Sequence, residues 1–336
     1  QMMKTVAEEM QVDFVDLFQP TLHAYAMKER ALTINGVHFN KFGNRVLGKI
    51  IADALLGYDV SLNPEDAQTL RTVIQDKNHH WFNRYRATDG NDVWGSRSGL
   101  SFTDGQSNAD VLQHELSQLD VMTANRDQAI WAEAQGKTWV LPDINVPSAV
   151  EVISNLEKPQ LQGGVSKIGD GTYLSPEEGL KRMTLAQGLS ANLFASEDMF
   201  PEMVNPVQLG VGPKGRLWAA TWTTYPKWEP LKEMNDRLLI LPDENRDGVA
   251  DKAITFAKVH NPTGFEFWNG GVLVASAPGI LFLKDTDGDD IADVRYRILD
   301  GIDSADTHHT ANNFVYGPDG YLYYQRGVFH VSNVET

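Results

Sequence analysis

Two segments of the chain, RLLILPDENRDGVADKAITF at 237–256 and GILFLKDTDGDDIADVRYRI at 279–298, align without a gap 42 residues apart (237 to 279). Each opens as a strand-like apolar run, crosses an Asp-rich turn and returns as a second strand. A second unit recurs three times, as GPKGRLWAAT at 212–221, WNGGVLVASA at 268–277 and GPDGYLYYQR at 317–326. One cycle therefore holds two turn-linked strand pairs and returns every ~40–50 residues, the blade period of a β-propeller. Solenoids share the periodicity, but antiparallel hairpins of this length favour blades. About two and a half to three cycles fit before the sequence ends, where a propeller uses about four to eight blades. The expectation is an incomplete all-β propeller.

The first half reads differently. Residues 12–17, VDFVDL, form a short apolar strand candidate. Asn40 is placed to cap a helix carrying Phe42, Val46, Leu47, Ile50, Ile51, Ala54 and Leu55 on one face, closed by Gly57. A second helix begins with Asn63 as cap and Pro64 at the first helical position, and its stripe is Leu70, Val73, Ile74, Trp81 and Tyr85. A third covers about 107–135 along Val111, Leu112, Leu116, Leu119, Met122 and Ala129. Ser175-Pro176-Glu177-Glu178 is a capping box that starts a short helix. The fold class is therefore mixed: a partial α/β region over 1–58, a helical extension over 59–136, a Pro- and Gly-rich linker over 137–174, and the incomplete propeller over 175–336. A first residue Gln1 and an unclosed end, HVSNVET, read as a fragment of a longer polypeptide.

The formal net charge of −16 argues against nucleic acid, where basic patches supply most of the affinity. The chain has no cysteine, so disulfides, thiolate metal sites and covalently attached haem are excluded from it. No run of 18 apolar residues is present to span a membrane.

Some of the acidic residues gather in the two repeated turns. Asp243, Asn245, Asp247 and Asp251 occupy one; Asp285, Asp287, Asp289 and Asp293 occupy the same register of the other. Oxygen ligands at alternate positions of a tight loop converge on one point and suit Ca²⁺. A Glu is missing at the twelfth loop position, where Ile254 and Tyr296 stand, and helices do not flank the loops, so these are not EF-hands. The other reading is that Asp, Asn and Gly build turns and keep strand edges soluble. If Ca²⁺ binds, its role is structural.

The stretch DTHHTANNFVYGPDGYLYY, 306–324, places His308 and His309 before a turn and an aromatic strand. Near the inner mouth of a propeller, an imidazole is suited to take a proton from a substrate hydroxyl. Alternatively, one or both histidines bond loop backbone. The segment resembles the one that carries the catalytic His in soluble quinoprotein glucose and sorbosone dehydrogenases: His309 stands eight residues before Gly317, the spacing of that family. More specifically, SPEEGLKRMTLAQGLSANLFAS (175–196), GRLWAATWTTYP (215–226), DTDGDDIADV (285–294) and DTHHTANNFVYGPDGYLY (306–323) resemble the propeller of membrane-bound dehydrogenases of planctomycete-type bacteria. The resemblance implies oxidation of a sugar or alcohol with pyrroloquinoline quinone (PQQ), His309 as base and His308 behind it. It also implies a c-type cytochrome as electron acceptor and a location outside the cytoplasm. That family's cofactor-clamping Arg, Lys and Trp come from later blades, which this chain does not contain. A propeller that only binds partners is the rival from another class, and a parent protein whose only activity is an esterase encoded at the other end of the chain is the third reading.

At the other end, ALTINGVHFNKFGNRVLGKIIADALL (31–56) resembles the last block of SGNH (GDSL-type) esterases, where Asp-x-x-His supplies the triad base and its orienting acid. His38 matches the His, but Asn35 stands at the Asp position and cannot supply its charge. The nucleophile block of that family precedes this one and is not in the chain. IQDKNHHWFNRYRATDGNDVWGSRSG (74–99) resembles the helical extension that follows such domains, and its His79, His80, Trp81, Arg84 and Arg86 read as a packing face with solvated cations. Trp218, Trp222, Tyr225 and Trp228 form an aromatic cluster better explained by packing between blades than by sugar stacking.

Overall fold

The computed structural model describes residues 2–27, 30–57, 64–86, 89–101, 105–139, 143–151, 160–162, 165–168 and 171–335. They fall into two compact units that divide between Thr72 and Val73.

The first unit contains α1 (Met2–Met10), α2 (Phe18–Ala26), α3 (Lys41–Leu56) and the start of α4 (Pro64–Arg86). The signals at the ends of α3 act as their chemistry predicts: Asn40 Oδ1 accepts from the Gly43 amide at 2.9 Å, and Gly57 takes φ +73°. Pro64 opens α4; the expected cap Asn63 lies outside the described residues. Residues 12–17 are irregular rather than a strand, and no described strand pairs with them. An apolar run becomes a strand only when a neighbour takes its backbone groups. Among the described residues of this unit the one β pairing is the Thr33–Phe39 bridge, so the unit is helical where an α/β layer was expected.

The second unit continues α4 and adds α5 (Gly90–Val93), α6 (Asn108–Ala134), a three-stranded antiparallel sheet of β1 (Gln160–Gln162), β2 (Val165–Ile168) and β3 (Gly171–Tyr173), and α7 (Pro176–Lys181). The buried side of α6 carries Leu112, Leu116, Leu119 and Met122, and Ser107 and Asp110 close a reciprocal capping box at its start. The face of α4 departs from the expected stripe. Trp81 and Tyr85 are exposed and stack on each other, while His80 and Asn83 are buried. Burial is tolerated because each finds a partner on its own helix: His80 Nδ1 lies 2.8 Å from the Asp76 carbonyl oxygen, and Asn83 Nδ2 donates to the His79 carbonyl at 2.9 Å. Of the expected linker, 137–174, residues 143–151 are fastened along α6, with Gln118 donating to the Pro147 carbonyl and Asn125 to the Ile144 carbonyl, and 160–162, 165–168 and 171–173 are strands rather than linker.

Two antiparallel sheets follow, each of four strands in sequence order: β4 (Pro206–Val211), β5 (Leu217–Thr221), β6 (Arg237–Leu241) and β7 (Ile254–Lys258), then β8 (Pro262–Trp268), β9 (Gly271–Ser276), β10 (Gly279–Lys284) and β11 (Val294–Leu299). A hairpin of β12 (Asn312–Tyr316) and β13 (Leu322–Gln325) comes third. The 42-residue copies occupy the same place, strands three and four, in successive sheets; the shorter unit supplies strand two each time. No sheet closes into a barrel among the described residues.

The sheets stack face to face. Trp218, Ala220, Leu238, Ile240 and Phe256 of the first meet Phe265, Val272, Val274, Leu281 and Leu283 of the second. The second sheet's other face, with Leu273, Ala275, Ile280 and Phe282, meets Ala311 and Phe314. Alternate residues of one strand thus enter different cores, which is why β5, β6, β9 and β10 are buried on both sides.

The first strands lie side by side. Gln208 on β4 donates to the Phe265 carbonyl and accepts from the Phe265 amide, both at 2.8 Å, and Thr263 on β8 donates to the Ala311 carbonyl at 2.6 Å. Gly264 sits between them, where a Cβ would come 3.2 Å from Gln208 Oε1 and 3.3 Å from Asn312 Cα. Antiparallel order then sorts the connections: the acidic turns and the 212–215 and 317–320 turns share one end, and the 222–236, 259–261 and 300–311 connections share the other.

Candidate functional site

The 300–311 connection carries both adjacent histidines in a 3₁₀ turn, Thr307–His309. Asp306, only 2% exposed, turns one carboxylate oxygen to each ring. His309 Nδ1 is 3.0 Å from Asp306 Oδ2, His308 Nδ1 is 3.1 Å from Oδ1, and the ring centroids are 4.0 Å apart. The segment after α4 holds this turn from behind. The amides of Asp89 and Asn91 each donate at 3.0 Å to the carbonyls of Ser304 and Ala305, and the Thr307 amide donates to Asp89 Oδ1 at 2.6 Å. Burial pushes the Asp89 carboxyl above its ordinary range, against the pull of that Thr307 amide. Arg97 Nη1 donates to Asp306 Oδ2 at 3.4 Å, and Arg97 Nε lies 3.1 Å from Asp92 Oδ1. Asp92 also accepts from Asn108 at the start of α6. On the other side is Gly327, where a Cβ would fall 1.6 Å from the His309 carbonyl oxygen.

Beside the turn lies a cleft of ≈ 440 Å³ between the first strands, bordered by Val207, Gln208, Trp222, Tyr225, Thr263, His308, Asn312, Asn313 and Phe314. The imidazole on the cleft is His308, 24% exposed, with the Tyr225 ring 5.9 Å away. His309 is 51% exposed and does not border the cleft. The geometry therefore favours His308 for the front position that the resemblance gives to His309. Of the aromatic cluster, Trp218 packs between sheets, Trp228 packs on α6, buried Trp222 donates to Thr224, and Tyr225 turns a half-exposed ring to the cleft. The lining is neutral apart from His308 and contains neither Lys nor Arg, a surface suited to hydroxyl-rich ligands rather than anions.

The acidic turns lie at the opposite end of the sheets. In the second, Asp285, Asp287 and Asp289 bring oxygens within 4.8 Å of one another; Asp293 instead accepts from Thr286. In the first, Asp243, Asp247 and Asp251 form no such group, and their oxygens accept from the amides of Gly248, Val249 and Glu244, while Asn245 accepts from the Asp247 amide. The repeated spacing thus produces the same turn twice but gathers carboxylates only once. Arg216, from the neighbouring sheet, grips Asp290 with two hydrogen bonds of 2.6 Å.

In the first unit, His38 Nδ1 lies 3.0 Å from Asn35 Nδ2 and 3.3 Å from Oδ1. The Asp-x-x-His pairing is thus kept in space with an amide in the place of the acid, on an exposed turn. Residues 1–58 contain no Ser or Cys to act as nucleophile. Sequence reasoning missed Arg97, Asp92 and the part played by Asp306. The Asp-x-His-His spacing is a local signal for Asp306; nothing local points to Arg97, which is 209 positions away.

Residues 175–336 match the model of a family described as a domain of unknown function, DUF7133. No curated protein matches the chain. Among the described residues no helix is long and apolar enough to cross a membrane.

Proposed function

We propose that residues 175–336 form successive blades of a β-propeller of the quinoprotein-dehydrogenase type, and that its Asp306–His308–His309 cluster takes the proton from a hydroxyl group of a carbohydrate or alcohol in the adjoining cleft. One observation carries this reading: a buried carboxylate lies against two imidazoles, one of which borders the cleft. His308 Nδ1 stands 3.1 Å from Asp306 Oδ1 without a hydrogen bond between them; when the ring takes the hydroxyl proton, the adjacent carboxylate stabilises the resulting cation. Arg97 and the Asp89–Thr307 bond hold the carboxylate in place.

The hydride acceptor that the resemblance implies, PQQ, carries three carboxylates. The cleft is bordered by no Lys or Arg to partner those charges; in that family such residues come from later blades, so the roles assigned here are confined to this chain's own residues. Ca²⁺ belongs to the same proposal at Asp285, Asp287 and Asp289, where it would stiffen a turn remote from the cleft. The His38 turn has no part in the chemistry, because Asn35 cannot stabilise an imidazolium.

The test is saturation-transfer NMR of the purified chain with a panel of sugars and polyols, repeated with His308→Ala and Tyr225→Phe. Binding that His308→Ala weakens at least ~10-fold supports the assignment. Binding unaffected by His308→Ala makes the module a binding propeller, and a silent panel removes the substrate class.

A further inference from the structure

We propose that Asp306, His308 and His309 together hold a divalent first-row transition-metal ion of the zinc class. Each side chain offers one ligand atom, and these atoms lie within 4.8 Å of one another. Ligand atoms around one tetrahedral ion at about 2.0–2.3 Å stand about 3.3–3.8 Å apart, inside that bound. Two imidazole nitrogens with one carboxylate oxygen suit Zn²⁺, Fe²⁺ or Co²⁺, whereas Ca²⁺ and Mg²⁺ take oxygens.

A second observation points the same way. Asp306 Oδ1 and His308 Nδ1 are both buried, and neither makes a hydrogen bond although they are 3.1 Å apart. Asp306 Oδ2, by contrast, is engaged by His309 Nδ1 and by Arg97. Buried polar atoms in native proteins nearly always have partners, and an unpaired one is costly. An ion between Oδ1 and the imidazoles satisfies both orphans at once, and Arg97 fixes the carboxylate that faces it, as outer partners of metal ligands do. Three protein ligands leave coordination positions open, on the buried Nδ1 edge of the His308 ring whose other side borders the cleft.

The inference deepens the proposed function and rests on it only for what would bind the open positions. A hydroxyl on the ion loses its proton more readily, as metal-bound water does, so the cluster would perform the same task through the ion.

Chelator-treated chain is titrated with CoCl₂ and followed by visible absorbance, and with ZnCl₂ by calorimetry. The expected result is one ion per chain at the cluster, with an absorption band of low-coordinate, nitrogen-ligated Co²⁺. His309→Ala, a half-exposed change, is expected to weaken binding at least ~10-fold, and Asp306→Asn likewise. Asp287→Asn, in the acidic turn, should leave the band unchanged. Because Asp306→Asn strikes a buried group, ¹⁵N-correlated imidazole spectra of the unaltered chain with Zn²⁺ provide a measurement free of folding effects. His308 and His309 should shift and His23 and His114 should not. No bound ion, an all-oxygen octahedral spectrum, or affinity indifferent to His309→Ala would overturn the site. Metal binding with no carbohydrate binding leaves the site and removes the function; the converse removes the site alone.

Discussion

At the residue scale the fold depends on a few side chains that join one sheet to the next. Gln208 satisfies both backbone groups of Phe265 across the gap between first strands. Gln208→Ala strands a partly buried amide and carbonyl, and chemical denaturation should show a loss of about 1–3 kcal/mol. Gly264→Ala forces β8 away from Gln208 and Asn312 and should cost a similar ~1–3 kcal/mol. If either variant melts like the parent, the first strands do not converge as described. At this scale the sequence was only partly legible. The adjacent histidines announce themselves, but which imidazole reaches the cleft depends on how Asp306 divides its two oxygens, and that depends on Arg97 and on packing against Gly327.

At the element scale the helices are joined to the sheets through aromatic and imidazole rings. His79 lies 5.0 Å from the Trp228 ring and 5.6 Å from His260. Burial, reinforced by His80 and opposed by Asp76, lowers the His79 pKa to about 4. Burial, with His79, lowers that of His260 to about 3. The Asp236 carboxylate, 3.8 Å from His260, gives little help because Thr223, Thr224 and Asn261 already occupy its oxygens. Both folded values lie below the ordinary 6.5, so the unfolded chain binds protons that the fold refuses. The stability these rings contribute is complete above pH 6.5 and is lost as pH falls through about 4 for His79 and about 3 for His260. Denaturation midpoints should drop by the equivalent of a few kcal/mol over that window, and His260→Phe should flatten the slope. Midpoints unchanged between neutral pH and the acid end would contradict this. Trp228→Ala, which empties the site between α6 and these rings, should cost about 3–5 kcal/mol in the same assay. Capping and turn chemistry for these elements was readable because it is local. The buried face of α4 was readable in part: His79 and His80 pack as a packing face requires, but burial of Asn83 with Trp81 and Tyr85 left exposed is decided by partners on the same turns and by what packs above them.

At the scale of the whole molecule, the 42-residue period anticipated stacked four-stranded sheets, since a repeat records which strands must match. It could not say that the carboxylates converge in only one of the two acidic turns. Apolar side chains remain exposed on β4, at Val207, Leu209 and Val211, and on the third sheet, at Val315, Tyr316 and Tyr323. A net charge of −16 keeps copies apart at low ionic strength, and salt screens it. Light scattering should therefore report self-association that grows with concentration and with salt; a monomer insensitive to both would show these faces to be inert.

The central claim is that the Asp306–His308–His309 cluster receives the hydroxyl ligand, and imidazole NMR tests it most directly. In chelator-treated protein titrated with the best-binding polyol of the panel, the resonances of His308 and His309 should move together and saturate, while His23, His38 and His114 stay fixed. Saturable binding that leaves the His308 and His309 signals in place would contradict it.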